Sequence, residues 1–71
     1  MIALTEAQGR VLDVIVRLTH ERGFPPTIRE IGKGLGLTST NAVSGHLDAL
    51  ARKGWITRDT RVARSIVVRT T

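Results

Sequence analysis

Between Ser39 and Gly45 the chain reads Ser-Thr-Asn-Ala-Val-Ser-Gly, a run of small or short polar side chains interrupted by one valine. Asparagine can pair through two hydrogen bonds with adenine N6 and N7. Serine and threonine can donate or accept, and an alanine methyl suits a thymine methyl. A major groove admits a helix only where the approaching end is slim. The chemistry open to Ser39, Thr40, Asn41, Ala42, Ser44 and Gly45 is therefore hydrogen-bonded and apolar contact with base edges. For Ser39 and Thr40 helix capping competes, because small hydroxyl side chains also serve there. Glycine inside a helix costs roughly 1 kcal/mol relative to alanine, so Gly45 points to close approach by some partner.

Cations follow this run. Arg52, Lys53, Arg58, Arg61 and Arg64 would bracket a groove and grip its phosphates, contacts that supply most of the affinity and fix register. Thr27 and Arg29, at the start of an earlier helix, complete the expected backbone-contact set. Residues 1–36 carry a net charge of +1 and residues 37–71 a net charge of +4, within a total of +5. A basic half on a small domain suits a polyanion partner. The competing reading is a solvated charged edge that discourages strand-to-strand aggregation. Asp48 runs against the polyanion reading. It would face a cytosine amino group, point to solvent, or mark where the helix leaves the groove.

The elements that must position these residues can be read from caps and periodicity. Thr5-Glu6-Ala7-Gln8 is a capping box, and Val11, Leu12, Ile15 and Leu18 follow at helical spacing. This predicts a first helix from Glu6 to Arg22, stopped by Gly23, with Phe24 packing back on its end. Pro26 keeps Pro25 extended. Thr27-Ile28-Arg29-Glu30 is a second capping box, opening a helix of about two turns. Gly36-Leu37-Thr38 is a tight turn, and Ser39 or Thr40 caps a third helix over about 40–53. At about 100° per residue, Val43, Leu47 and Leu50 form its core face, while Asn41, Ser44, Gly45, Asp48 and Arg52 lie opposite. Trp55–Arg58 and Ser65–Arg69 are β-rich and read as two antiparallel strands around a polar loop, with Trp55 against the core. Thr70 and Thr71 are expected to fray. The order defines a mainly α fold with a small β-hairpin. It is a winged helix-turn-helix, read as one domain over residues 1–71.

Several functions are disfavoured. With no cysteine there is no disulfide and no thiolate metal site. No apolar run can span a bilayer. The opening MIALTEAQGR lacks the order of a signal peptide, so a soluble, cytoplasmic protein is expected. "GKGLGL" lacks P-loop order. Its small residues would let the second helix pack closely on the third, although Gly34 has no evident role. His20 and His46 lack a third metal ligand, and no arrangement of nucleophile and base stands out. No cofactor, metal or small-molecule ligand is expected, and no enzyme activity.

"PPTIREI", "GLTSTNAV" and "HLDALARKGWI" resemble the N-terminal DNA-binding domain of the LexA repressor family, regulators of the bacterial DNA-damage (SOS) response. The resemblance runs from Ala3 through the Arg64 region to Val68. It implies base contacts from Ser39, Asn41, Ala42, Ser44 and Gly45, and backbone contacts from Arg52, Lys53 and the wing around Arg64. Family repressors carry a second domain that dimerises and cleaves itself with a serine–lysine dyad. No Ser or Lys here stands in such a context, so the chain is expected to be either the DNA-binding half of a longer repressor or a stand-alone miniature. The best-known members carry acidic side chains where Ser44 and Gly45 stand, so their operator does not transfer. The expected partner is double-stranded DNA, a palindromic operator bound by a homodimer that is weak or monomeric alone. The alternatives are a winged-helix protein-interaction module, such as an antirepressor or adaptor, and nonspecific or RNA binding through the basic half.

Overall fold

The computed structural model describes residues 3–69, so the expectation for Thr70 and Thr71 falls outside it. Three helices, α1 (Glu6–Arg22), α2 (Ile28–Leu35) and α3 (Thr40–Arg52), precede two strands, β1 (Ile56–Thr57) and β2 (Val67–Val68). Both early helices start at reciprocal caps. The Thr5 hydroxyl accepts from the Gln8 amide at 3.2 Å, and the Gln8 side chain accepts from the Thr5 amide at 3.1 Å. Thr27 and Glu30 repeat the arrangement at 3.1 and 2.8 Å. The cap of α3 is weaker and single. Ser39 Oγ accepts from the Ala42 amide at 3.4 Å, and Thr40 is already inside the helix.

The turn between α2 and α3 is closed by backbone. Gly36 adopts φ 74°. Its amide donates to the Lys33 carbonyl at 3.2 Å, and the Leu37 amide donates to the Gly32 carbonyl at 2.8 Å. These two bonds satisfy the last carbonyls of α2 and need a left-handed residue, which glycine supplies without a Cβ penalty. The same pair of bonds ends α3 at Gly54, φ 85°.

One core joins all five elements. Val11, Val14, Ile15 and Leu18 of α1 meet Ile31 of α2, Val43, Leu47 and Leu50 of α3, and Ile56 and Ile66 of the hairpin. Burying each such side chain stabilises the fold by roughly 1.5–3 kcal/mol. Val43, Leu47 and Leu50 are fully buried, which fixes the rotation of α3 and turns the opposite face outward. Trp55 packs half-buried against this core. The glycines of α2 bring helices together on two sides. A Cβ on Gly32 would stand 3.3 Å from Val43 Cγ2 of α3, and one on Gly34 would stand 3.0 Å from Val14 Cγ1 of α1. Gly34, without evident purpose in the sequence, is where α2 meets α1.

Two expectations need correction. The strands are two residues each, paired Ile56↔Val68 and Thr57↔Val67, and do not reach Arg58 or Ser65. The Ser65 hydroxyl ends the ladder: it accepts from the Asp59 amide at 2.9 Å and donates to the Asp59 carbonyl at 2.8 Å. A side chain thus takes the place of a backbone partner. Phe24 does not bury itself on the end of α1. It is 43% exposed, and its ring lies under the Arg64 guanidinium, 4.7 Å from the centroid.

Candidate nucleic-acid interface

The N-terminal half of α3 presents its small side chains to solvent. Ser39, Thr40, Asn41, Ala42 and Gly45 are exposed and Ser44 is half-buried. Beyond the Ser39 cap these side chains are committed to no partner within the described chain. A Cβ on Gly45 would meet nothing within 4 Å. The glycine therefore answers no packing demand inside the molecule, unlike Gly32 and Gly34. Asp48 and Arg52 continue the exposed face toward the C-terminus of the helix.

Beside this face lies a cleft of about 380 Å³, lined by Thr27, Arg29, Thr40, Arg58, Arg64 and other wing residues. It brings together the starts of α2 and α3 and the loop between the strands. Thr27 is half-buried and caps α2. Arg29 and Arg52 are exposed cations with no partner among the described residues.

The other expected phosphate contacts have partners of their own. Lys53 Nζ donates to Gln8 Oε1 at 2.6 Å and to the Ala3 carbonyl at 3.2 Å, tying the end of α3 to the cap of α1. Each wing arginine meets a carboxylate. Arg61 Nε and Nη2 donate to the two oxygens of Asp59 at 3.0 and 3.1 Å. This bond, with one from the Arg61 amide, lowers the Asp59 pKa, and Asp59 in turn raises that of Arg61. The Arg58 side chain is only 8% exposed, and its Nη1 stands 3.7 Å from Asp48 Oδ1. In the free chain the Arg58 guanidinium is thus turned toward Asp48 rather than toward solvent. The neighbour explains how a carboxylate can sit on an otherwise neutral or basic face, since Asp48 has a cation beneath it. Arg64 Nη1 and Nη2 donate to Glu30 Oε1 and Oε2 at 2.9 and 3.1 Å.

Sequence reasoning missed the partners of Arg64. Glu30 was legible as a capping residue, but nothing local signals a bond to a residue 34 positions away. Glu30 also holds Arg22, whose Nη1 lies 2.8 Å from Oε2. Its pKa is pushed down to about 2, first by the Arg64 hydrogen bond, then by the Thr27 amide, with the charges of Arg64 and Arg22 adding to the effect.

Two helices joined by a glycine turn, the second presenting a slim exposed N-terminal end and followed by a hairpin, define a winged helix-turn-helix. The chain matches the LexA DNA binding domain family over residues 1–65 and belongs to it. It is 52% identical to a LexA repressor of Myxococcus xanthus (strain DK1622), covering 94% of this chain and 30% of that protein. Against a LexA repressor of Anaeromyxobacter sp. (strain Fw109-5) the identity is 51%, over 94% of this chain and 29% of the relative. One from Mycobacterium bovis (strain BCG / Pasteur 1173P2) is also 51% identical, over 94% and 28%. The chain spans under a third of the length of these curated relatives.

Proposed function

We propose that residues 1–71 act as a single sequence-specific DNA-binding domain in transcriptional repression of damage-response genes. α3 enters the major groove. Ser39, Thr40, Asn41, Ala42, Ser44 and Gly45 meet base edges, Asn41 giving the most directional contact. Arg29, Thr27 and Arg52 meet phosphates, and the wing, with Arg61 and Arg64, follows the adjacent backbone or minor groove. Two copies on a palindrome add affinity through symmetry, while one copy alone binds weakly. The setting is the bacterial cytoplasm, and the role is binding without catalysis. The observation that carries this reading is the exposed first half of α3, where short side chains and an unneighboured glycine leave room for an outside surface. The repressor relatives support it.

Selection from a pool of randomised duplexes tests the proposal. The wild-type chain should enrich a short palindrome. Asn41→Ala should relax one base position, whereas Arg52→Ala should weaken binding about equally across sequences and lower the salt slope by about 1. Tight binding with a steep salt slope but no enrichment would leave only nonspecific nucleic-acid binding. No binding even at low salt would turn the same face into a protein-docking surface.

A further inference from the structure

Building on the duplex-bound wing just proposed, we infer that Glu30 is a positioning residue whose carboxylate locks the wing to the helix-turn-helix and so sets where the wing meets DNA. Both carboxylate oxygens are committed. Oε1 accepts from the Thr27 amide at 2.8 Å and from Arg64 Nη1 at 2.9 Å. Oε2 accepts from Arg64 Nη2 at 3.1 Å and faces Arg22 Nη1 at 2.8 Å. One side chain thus joins the end of α1, the start of α2 and the wing.

The arginine end of this latch is equally constrained. Arg64 Nη1 also donates to the Pro25 carbonyl at 3.1 Å, and its guanidinium covers the Phe24 ring. Among the described residues Arg64 is the only non-glycine with positive φ, 59°. A left-handed arginine is uncommon and persists where surrounding contacts over-determine it. The ladder below it has two residue pairs, so backbone pairing alone holds the wing loosely.

Capping does not account for the charge on Glu30. Gln8 performs the same cap on α1 with a neutral amide. The negative charge exceeds what the cap requires, and its geometry serves Arg64 with two parallel bonds, the arrangement that adds direction as well as strength.

Glu30→Gln separates the two roles, because glutamine also completes a capping box. Three measurements are made: helical circular dichroism with thermal unfolding, 15N relaxation of amides 59–64 in the free chain, and affinity for two duplexes. One duplex is selected by the wild-type chain from a randomised pool, and the other is an unselected duplex of equal length. The variant should keep its helices, gain fast motion in amides 59–64, and lose severalfold in the ratio of selected to unselected affinity. Affinity for the unselected duplex should hold or rise, since an anion is freed near phosphates. Arg64→Gln should lower the ratio similarly while also weakening both duplexes about equally through its own backbone contact, and the double variant should lower the ratio no further than either single one. A purely structural ion pair would leave the ratio unchanged once the helices are intact. An unchanged ratio, unmoved wing amides, or additive losses would each overturn the inference. Should the wild-type chain show no preference between the duplexes, the sequence-specific reading fails, and the relaxation data alone then decide whether Glu30 holds the wing.

Discussion

Gly45 sets local stability against access. Its position is open, so a methyl group there meets no atom within 4 Å beyond its chain neighbours and the backbone of its own helix. Gly45→Ala should therefore stabilise the domain by about 0.5–1 kcal/mol in urea unfolding, the ordinary helix gain. The same methyl should weaken binding to the selected duplex, because the helix would stand further from the base edges. Equal or tighter binding would remove the close-approach explanation for this glycine. Glu30 makes a second prediction, in pH. Its carboxyl is lowered from 4.5 to about 2. A carboxylate with a depressed folded pKa adds stability above its unfolded pKa, and that contribution disappears as pH falls through the folded value. Between pH 5 and pH 2 wild type should lose more stability than Glu30→Gln, as read from urea midpoints, with the lowered Asp59 adding a share common to both chains. Parallel curves for the two would mean that Glu30 is no better held than in the unfolded chain. At this scale the sequence was informative about α3, whose exposed types follow from helical spacing. It was silent about Arg58, Lys53 and Arg64, because the carboxylate or amide each one meets is set by tertiary packing.

The helices were legible to their ends and the hairpin in its place and pairing but not in its strand lengths, for identifiable reasons. Thr5, Thr27 and Ser39 announce helix starts through bonds made within three residues, and Gly36 and Gly54 announce ends through backbone conformation. Such signals are local, so a sequence carries them. The strands were read too long because β-rich composition at Trp55–Arg58 and Ser65–Arg69 does not reveal that the Ser65 hydroxyl takes over at Asp59. Helix contacts hide in the same way. Gly34 looks dispensable until α1 is set beside it, with Val14 Cγ1 3.0 Å from where a Cβ would be. Here the alanine experiment should reverse its sign. Val14 is only 7% exposed and packed in the core, so its methyl would have to shift by a few tenths of an ångström. Overpacking costs typically 1–3 kcal/mol, against a helix gain of about 1. Gly34→Ala should therefore destabilise in urea unfolding while Gly45→Ala stabilises. A stabilised Gly34→Ala would show that the contact between α1 and α2 yields more easily than its geometry implies.

Across the whole molecule the decisive feature is orientation. The described chain spans 26 × 23 × 23 Å, small enough that one helix face and one loop make up a large part of its surface. The core holds α3 by Val43, Leu47 and Leu50, and the Lys53 and Glu30 contacts brace its end and the wing. With Arg58, Arg61 and Arg64 each beside a carboxylate, Arg29 stands unpaired near the exposed start of α3 and Arg52 unpaired at its other end, among the described residues. The family could be read from motifs along the chain, whereas this division of the cations needed the fold. On the proposed reading, the first half of α3 is the surface that meets DNA. Amide 1H–15N mapping of the chain titrated with its selected duplex tests this most directly. The largest shifts should fall at residues 39–45, with smaller ones at Arg29, Arg52 and the wing. Largest shifts on the far side, around Val16, His20 and Val67, with residues 39–45 unmoved, would contradict it.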